Sequence, residues 1–218
     1  MAINIAIDGP SASGKSTIAK ELCKELDYKH IDTGAMYRCV ALKVKQTGID
    51  YEDEKALKKL LKEIKIDFTP EGGVLLDGKD VSKEIRTDDI SMLASTVSTK
   101  KIVRTHLVKI QQQIAAGKGY VMDGRDIGTV VLPDAEVKIF LVASVETRAK
   151  RRFLENKQRG IKCNLRELKQ EIVERDFQDT HRQHSPLKKA ADAIEIDSSN
   201  MNIEEVTEAV LNIVRQKL

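Results

Sequence analysis

Several residue types are scarce in this chain of 218 residues, and each shortage excludes a class of protein. The chain has 4 Pro, 12 Gly and no Trp, and aromatic residues make up only 4% of it. A collagen-like or disordered chain would be much richer in Pro and Gly, so both classes are excluded. The three cysteines, Cys23, Cys39 and Cys163, are odd in number and widely spaced, which argues against a disulfide framework and against a zinc site.

Long apolar runs are also missing. The run at residues 139–143 stops after five residues, whereas a membrane helix needs about 20. Residues 1–7 carry no cationic flank and lead directly into Asp8, which is not the pattern of a secretory signal. We therefore expect a cytoplasmic protein with no membrane partner, in a reducing compartment that suits its free cysteines.

A large excess of one charge is the third absence. Lys and Arg number 37 against 34 Asp and Glu, which gives a net charge of +3. A protein that coats duplex DNA carries a larger excess, so we expect no nucleic-acid partner and only local basic functions. Hydrophobic residues at 41% and charged residues at 33% indicate an ordinary globular domain.

Short apolar runs alternate with helical patterns along most of the chain. Strand-like runs occupy residues 3–7, 28–31, 120–122, 137–142 and 193–196. Several of these runs are apolar on both faces, as in strands that lie between layers of helices. The sequence therefore predicts an α/β fold around a five-stranded parallel sheet.

The region from about residue 47 to residue 97 has a different pattern. A helix with Leu57, Leu60, Leu61 and Ile64 on one face leads into residues 65–68, 70–73, 74–76 and 79–81, with an Asp77-Gly78 turn between the last two runs. This pattern predicts a small antiparallel β-meander. An α/β core does not need a meander, so we interpret the region as an insertion.

Residues 148–162 hold seven cations and one acid, Glu155. The cations are Arg148, Lys150, Arg151, Arg152, Lys157, Arg159 and Lys162. Such a run is most simply a solvated helix face, but like charges this close repel one another unless an anion lies between them.

One motif carries specific chemistry. The nine residues after the first predicted strand are Gly9, Pro10, Ser11, Ala12, Ser13, Gly14, Lys15, Ser16 and Thr17. They fit G-x-x-x-x-G-K-[ST] between a strand and a helix, which is the setting of a phosphate-binding P-loop rather than of an ordinary tight turn. Backbone N–H groups and the helix N-terminus would hold the phosphates of ATP or GTP, Lys15 would reach the β- and γ-phosphates, and Ser16 would ligate Mg²⁺.

The P-loop does not by itself identify the reaction. The D-x-x-G and N/T-K-x-D strings of GTPases are absent, and so are an LSGGQ-like signature and the size of a transporter ATPase. A small kinase is the remaining class.

A kinase needs an acceptor site beyond the carboxyl ends of its strands. Asp123 ends an apolar run, as a metal-binding carboxylate would, although a turn or cap aspartate has the same appearance. Arg38 and Arg125 each follow a predicted strand and can each grip an acceptor phosphate through two hydrogen bonds.

The strings GPSASGKST, IDTGAMYR, DGRDIGTVV, PDAEVKIFL and ERDFQDTHR, together with the insertion, resemble the bacterial cytidylate kinases along essentially the whole chain. The resemblance implies a P-loop NTPase-type three-layer fold with a helical lid, and transfer of the γ-phosphoryl group from ATP to CMP or dCMP with Mg²⁺. It implies a single kinase domain over residues 1–218, with a core at 1–37 and 101–218, a monophosphate-binding region at 38–100 and a lid at 148–165. We expect this domain to act as a monomer.

The resemblance also implies an acceptor site. Its residues are Thr33, Arg38, Ser95, Arg104, Arg125, Asp126, Arg175, Asp179 and Arg182. A carboxylate such as Asp126 would accept from the N4 amine of cytosine and repel the carbonyl of uracil, while Arg104 and Ser95 can donate to O2 or N3. Charge stabilisation falls to Lys15, Arg125 and the lid arginines Arg148, Arg152 and Arg159, and metal binding to Ser16 and Asp123.

Two other functions stay open at this point. A kinase for UMP or AMP would share the P-loop and differ at the base pocket. A non-catalytic nucleotide-binding or RNA-binding module would use the cations of residues 148–162, but no aromatic residues interleave that cluster as stacking platforms.

Overall fold

The computed structural model describes residues 2–69 and 72–218. Pro70 and Glu71, which fall in the predicted meander, lie outside the described residues. The elements of the described part, in chain order, are β1 (Asn4–Asp8), α1 (Lys15–Leu26), β2 (Lys29–Asp32), α2 (Thr33–Thr47), α3 (Glu54–Glu63), β3 (Ile66–Phe68), β4 (Val74–Leu76), β5 (Lys79–Asp80), a 3-10 turn (Glu84–Arg86), α4 (Asp88–Val97), α5 (Lys101–Ala115), β6 (Tyr120–Gly124), a π-helical turn (Ile127–Val131), β7 (Val137–Val142), α6 (Val145–Gln158), α7 (Leu165–His181), β8 (Ile194–Asp197) and α8 (Ile203–Arg215).

The main sheet has five strands in the order β2-β6-β1-β7-β8. Strand β1 pairs in parallel with β6 on one side and with β7 on the other, and β7 pairs in parallel with β8. The α/β fold and the five predicted strands are confirmed, with shifts of one or two residues at strand ends. Because β1 and β6 run side by side in one direction, Ile7 lies opposite Asp123 and Asp8 opposite Gly124. The carboxyl ends of these two strands therefore lie side by side.

The chain divides into two compact units. The first comprises residues 2–28 and 118–218. Its core is formed by side chains from β1, β6 and β7 packed against the apolar stripes of α1 and α8, and they include Ile5, Ile7, Ile18, Leu22, Val121, Ile139, Leu141, Val206, Val210 and Val214. Each large aliphatic side chain buried in this way stabilises the fold by about 1.5–3 kcal/mol. The buried side chains of β1 therefore fix the position at which the loop after β1 begins.

The second unit is Lys29–Gly117. Asp53 caps α3 by accepting hydrogen bonds from the backbone N–H groups of Lys55 and Ala56, and the buried residues of α3 include the predicted Leu57, Leu60 and Leu61. The meander is confirmed: β3, β4 and β5 form an antiparallel three-stranded sheet. Asp77 and Gly78 both have positive φ angles, 51° and 82°, which is the geometry that a two-residue hairpin turn requires.

The basic segment is helical over most of its length. Helix α6 carries residues 148–158 of the predicted lid and α7 begins at Leu165. Gly160, with φ at 71°, lies just beyond the end of α6. The mobility of the segment stays a prediction. In the described part of the chain no helix has both the length and the apolarity that crossing a bilayer requires.

Candidate active site

The loop between β1 and α1 has the backbone that its sequence predicts. Gly9 has φ at 151°, and a Cβ there would lie 2.1 Å from the backbone oxygen of Leu141, so only glycine fits. Gly14, with φ at 100°, is the N-cap of α1, and its carbonyl accepts the N–H groups of Thr17 and Ile18. The first turn of α1 contains no acidic side chain. This end of the helix, with its open N–H groups and positive dipole end, therefore suits an anion.

Lys15 is buried in this loop, with 5% of its surface exposed. Its ammonium group donates to the backbone oxygen of Pro10 at 2.6 Å and to Ser13 Oγ at 3.3 Å. Burial, followed by the neighbouring positive charge of Arg125, lowers the pKa of Lys15 to about 7, against the raising effects of Asp123, Asp8 and Asp179. A cation under this strain is stabilised by any phosphate that enters the loop.

Ser16 and Asp123 meet as the sequence predicts for a metal site. The Ser16 hydroxyl donates to Asp123 Oδ2 at 2.7 Å. Asp123 is buried in β6 and lies opposite Ile7 of β1. A hydroxyl and a carboxylate side by side are the hard oxygen donors that Mg²⁺ takes, so the residues present fit this ion.

Asp8, the last residue of β1, was not predicted as a site residue. Asp8 is 5% exposed, and its carboxylate accepts the N–H of Ile127 at 2.8 Å and that of Gly128 at 2.7 Å. Burial raises the pKa of Asp8 to about 6, because the two amide bonds and Lys15 only partly offset the loss of water and the repulsion of Asp126. The one sequence signal was a carboxylate that ends a buried strand directly before a P-loop.

Four predicted acceptor residues of the first unit form a charged cluster. Arg125 Nε donates to Asp179 Oδ2 at 2.7 Å. Arg182 lies 3.6 Å from Asp179 Oδ1 through Nη1, and 3.7 Å from Asp126 Oδ1 through Nη2. Burial alone would raise the pKa of Asp179, but the charges and hydrogen bond of the neighbouring arginines, Arg125 first, lower it on balance. The pair of Arg125 and Asp179 therefore keeps its charges in a largely buried place.

Arg175, Asp179 and Arg182 are predicted acceptor residues at the end of α7 and just beyond it. Arg175 and Asp179 lie on α7, and Arg175 helps to lower the pKa of Asp179. Arg182 does not continue the helix, because α7 ends at His181 and Arg182 has extended backbone angles. Its guanidinium nevertheless lies beside Asp179, and its Nε donates to the backbone oxygen of Ser185 at 2.7 Å.

The other four predicted acceptor residues belong to the second unit. Thr33 opens α2 and is buried, while Arg38 lies further along α2 and is half-buried. On α5, the buried Arg104 donates to the backbone oxygen of Ser98 at 3.2 Å, and its guanidinium lies 5.3 Å from the ring centre of Tyr37. Ser95 lies on α4, and its backbone oxygen accepts from the Ser98 hydroxyl at 2.8 Å. Tyr37 is a neighbour of the predicted set that the sequence did not single out.

Arg148 differs most from what the charge run suggested. It is 4% exposed, and its guanidinium donates to both carboxylate oxygens of Asp176 on α7, at 3.0 and 2.6 Å. It also donates to the backbone oxygens of Ala143 and of Ser11 in the P-loop. The fold therefore supplies an acid from outside the segment, Asp176, and Arg148 links α6, α7 and the P-loop.

The other lid arginines face the surface. Arg152 and Arg159 both pair with the half-exposed Glu155, at 3.8 and 2.7 Å. Arg151, to which the sequence assigned no role in the site, donates to the backbone oxygen of Ser13 and to Ser198 Oγ, both at 3.1 Å. Arg151 thus holds the P-loop in place beside the loop that follows β8.

Comparison with known proteins agrees with these features. The sequence profile of the family "Cytidylate kinase" matches residues 5–216. A cytidylate kinase of Bacillus cytotoxicus is 51% identical over 219 residues, covering 99% of this chain and 97% of the relative. A cytidylate kinase of Bacillus cereus is 51% identical over 215 residues, covering 97% and 96% of the two chains.

A solved structure shares the fold at a greater distance. A gluconokinase of Sinorhizobium meliloti aligns with a TM-score of 0.50 over 99% of this chain and 94% of its own, with 15% identity. That likeness concerns the fold alone. The P-loop, the charged cluster beside it and the match along nearly the whole sequence show that this chain belongs to the cytidylate kinase family of nucleoside monophosphate kinases.

Proposed function

We propose that this protein transfers the γ-phosphoryl group of ATP to CMP or dCMP, giving ADP and the corresponding diphosphate. The observation that carries the proposal is the closeness of the P-loop to the charged cluster within the first unit. Ser16, next to Lys15 in the P-loop, donates to Asp123 at 2.7 Å, and Arg125, two residues beyond Asp123, donates to Asp179 at 2.7 Å. A group held by Lys15 would therefore be within the electrostatic reach of the residues assigned to the acceptor.

On the donor side, the P-loop residues Gly9–Thr17 would hold the triphosphate of ATP. Lys15 and the N–H groups at the start of α1 would neutralise the charge that spreads over the transferring phosphoryl oxygens. Arg125 would add a second cation from the acceptor side. Of the lid arginines, Arg148 already reaches the P-loop backbone, whereas Arg152 and Arg159 would exchange Glu155 for phosphate oxygens.

Ser16 and Asp123 would hold Mg²⁺, directly or through its water shell. The ion, when bound, neutralises charge on the donor phosphates. No side chain has to remove a proton, because a nucleotide phosphate has a second pKa of about 6 and is mostly a dianion at neutral pH. The work of the protein is therefore alignment and charge neutralisation.

For the acceptor, Arg38 and Arg125 would grip the phosphate, with the Thr33 hydroxyl as a further polar group, and Arg175, Asp179 and Arg182 would serve the sugar hydroxyls. Asp126 would accept a hydrogen bond from the N4 amine of cytosine, while Arg104 and Ser95 would donate to O2 or N3. Uracil presents a carbonyl oxygen at the position of the amine. A buried carboxylate that faces this oxygen loses its partner and is repelled, which makes the mismatch expensive.

The test is an ADP-release assay with CMP, dCMP, UMP and AMP as acceptors. We expect kcat/KM for CMP or dCMP to exceed that for UMP and AMP by roughly 100-fold or more, since a site built around a hydrogen-bonding group rejects its mismatch strongly. A higher value for UMP or AMP would assign the protein to that substrate instead.

We propose the same arrangement for the chain as a whole that its sequence suggested: one kinase domain with a core at 1–37 and 101–218, a monophosphate-binding region at 38–100 and a lid at 148–165. The protein would act as a cytoplasmic monomer with small-molecule substrates only. Its three free cysteines suit a reducing compartment. Size-exclusion chromatography with light scattering, with and without substrates, measures the molar mass and so tests whether the protein is a monomer.

A further inference from the structure

The π-helical turn after β6 directly follows Asp126, the residue proposed to read the base. The backbone oxygen of Asp126 accepts the N–H groups of Val130 and Val131, at 2.9 and 3.2 Å. Asp126 is therefore the N-cap of the turn. An aspartate in this position ordinarily folds its own carboxylate back onto the first open N–H groups.

In this turn another residue serves those N–H groups. Within the described part of the chain Asp126 makes no side-chain cap hydrogen bond. The N–H groups of Ile127 and Gly128 instead donate to the two carboxylate oxygens of Asp8, at 2.8 and 2.7 Å. The carboxylate of Asp126 lies beside Arg182, whose Nη2 is 3.7 Å from Oδ1.

Asp8 and Lys138 pack closely against Gly128 of the turn. A Cβ on Gly128 would lie 3.4 Å from Asp8 Oδ2 and 3.2 Å from Lys138 Cδ. Lys138 does not neutralise Asp8, because its ammonium group is engaged by Asp192 at 2.7 Å and by the backbone oxygen of Pro133. A buried carboxylate bonded to two backbone amides is costly to desolvate, and the two charge-assisted bonds fix the turn in return.

We propose that Asp8 is the positioning residue for Asp126. By capping the turn in place of Asp126, it fixes where the Asp126 carboxylate points, and so sets the preference for cytosine over uracil without touching either nucleotide. The inference rests on the proposed reading of the N4 amine by Asp126. It also joins the two halves of the site, because Asp8 directly precedes the P-loop that would bind ATP.

The test compares the ratio of kcat/KM for CMP to that for UMP in four forms of the full chain: the natural sequence, Asp8→Asn, Asp126→Asn and the double variant. Asn has the shape of Asp, but its NH₂ group cannot accept a hydrogen bond. In Asp8→Asn one of the two backbone N–H groups, of Ile127 or of Gly128, would therefore lose its acceptor. We expect the ratio to fall roughly tenfold or more, through the KM for CMP, while the KM for ATP stays within about threefold. Because Asp8 acts through Asp126, the double variant should have the same ratio as Asp126→Asn alone.

Glu136→Gln is the matched control. Glu136 accepts the N–H of Asn4 at 2.9 Å and so anchors the opposite end of the same strand, β1. It should change stability without changing the ratio. An unchanged ratio in Asp8→Asn, or effects that multiply in the double variant, would overturn the inference while leaving the proposed function intact. An unchanged ratio in Asp126→Asn would instead overturn the proposed reading of the base.

A second measurement on the natural chain covers the case in which Asp8→Asn does not fold. Hydrogen exchange of the Ile127 and Gly128 amides is followed by NMR at saturating CMP and at saturating UMP. The hydrogen bonds of Asp8 to the turn and the bond of Asp126 to the cytosine N4 amine should stabilise each other. Because such coupling is reciprocal, both amides should be protected more strongly with CMP than with UMP. The Asn4 amide, held by Glu136, should be equal in the two complexes. Equal protection at Ile127 and Gly128 would refute the positioning role.

Discussion

At the scale of the residue, two opposite charges beside the P-loop are both disfavoured by burial. Burial lowers the pKa of Lys15 to about 7 and raises that of Asp8 to about 6. Each buried charge lowers the stability of the fold without ligands. In return, Lys15 lies where a phosphate would bind, and Asp8 lies where it can cap the turn after β6. This is the pattern expected where a fold spends stability on a site.

Lys15→Ala tests the central cation. The variant removes a charge that would stabilise the transferring phosphoryl group, so we expect kcat to fall by roughly 10³-fold or more. The measurement is steady-state ADP release with saturating CMP and ATP. Lys20→Ala is the control, because Lys20 lies on the same helix and is exposed. Turnover of Lys15→Ala within tenfold of the natural protein would remove Lys15 from the mechanism.

Cys23 and Cys39 are poor candidates for a catalytic nucleophile. Burial raises the pKa of Cys23 and of Cys39 to about 12. A thiol is nucleophilic as its thiolate, so neither cysteine suits covalent catalysis near neutral pH. Cys39, which lies on α2 beyond Arg38, is a packing residue with no exposed surface.

At the scale of the element, Arg148 is the joint between α6, α7 and the P-loop. Its partner Asp176 has 24% of its side chain exposed, against 5% for Arg148. Removing the acid leaves a buried cation without its charge partner, which costs more than losing a surface ion pair.

We therefore expect Asp176→Asn to lower the free energy of unfolding by about 2 kcal/mol. Glu155→Gln, which removes the exposed acid beside Arg152 and Arg159, should lower it by about 0.5 kcal/mol or less. Urea unfolding of both variants decides the matter. Equal losses in the two variants would mean that the Arg148–Asp176 pair is no more than a surface contact.

The anchored start of α6 also shapes the expected motion of the lid. Arg148 is tied to Asp176 and to Ser11, whereas Arg152 and Arg159 pair only with Glu155 among the bonds described above. Nucleotides should draw the later cations inward, so closure depends on ligand. Hydrogen exchange with CMP and a non-hydrolysable ATP analogue should show added protection at residues 152–162 and little change in α8. Equal protection with and without ligands would contradict a lid.

At the scale of the whole molecule, local patterns predicted the strands, the meander and the P-loop, because each depends on residues close in sequence. The Asp77-Gly78 turn is predictable because Asp and Gly tolerate the positive φ angles that such a turn requires. The contacts of Asp8 and Arg148 with distant segments could not be predicted from the sequence. Asp8 bonds to Ile127 and Gly128, and Arg148 to Asp176, only because parallel pairing of β1 with β6 and packing of α6 on α7 bring distant segments together. No local pattern records such contacts, and the π-helical turn has no sequence signal of its own.

The stability of the whole chain depends on pH, and the lowered pKa of Lys15 makes stability rise with pH. Its pKa falls from 10.5 in the unfolded chain to about 7 in the fold. Below pH 7 both states bind the proton, and the fold carries the full penalty of a buried charge. Between pH 7 and 10.5 the folded protein loses the proton first, so the unfolded state binds more protons and stability rises with pH.

Lys15→Met isolates this contribution, because methionine fills a similar volume without the charge. Below pH 7 the variant should be more stable than the natural protein, and its advantage should shrink by about 1.4 kcal/mol for each pH unit above 7. Urea unfolding of the ligand-free proteins at pH 6.5, 7.5 and 8.5 measures the trend. Lys20→Met, at an exposed position, should give a difference that does not vary with pH. A constant difference for Lys15→Met as well would show that the lysine keeps its proton in the empty loop. The strain that phosphate binding is proposed to relieve would then be absent.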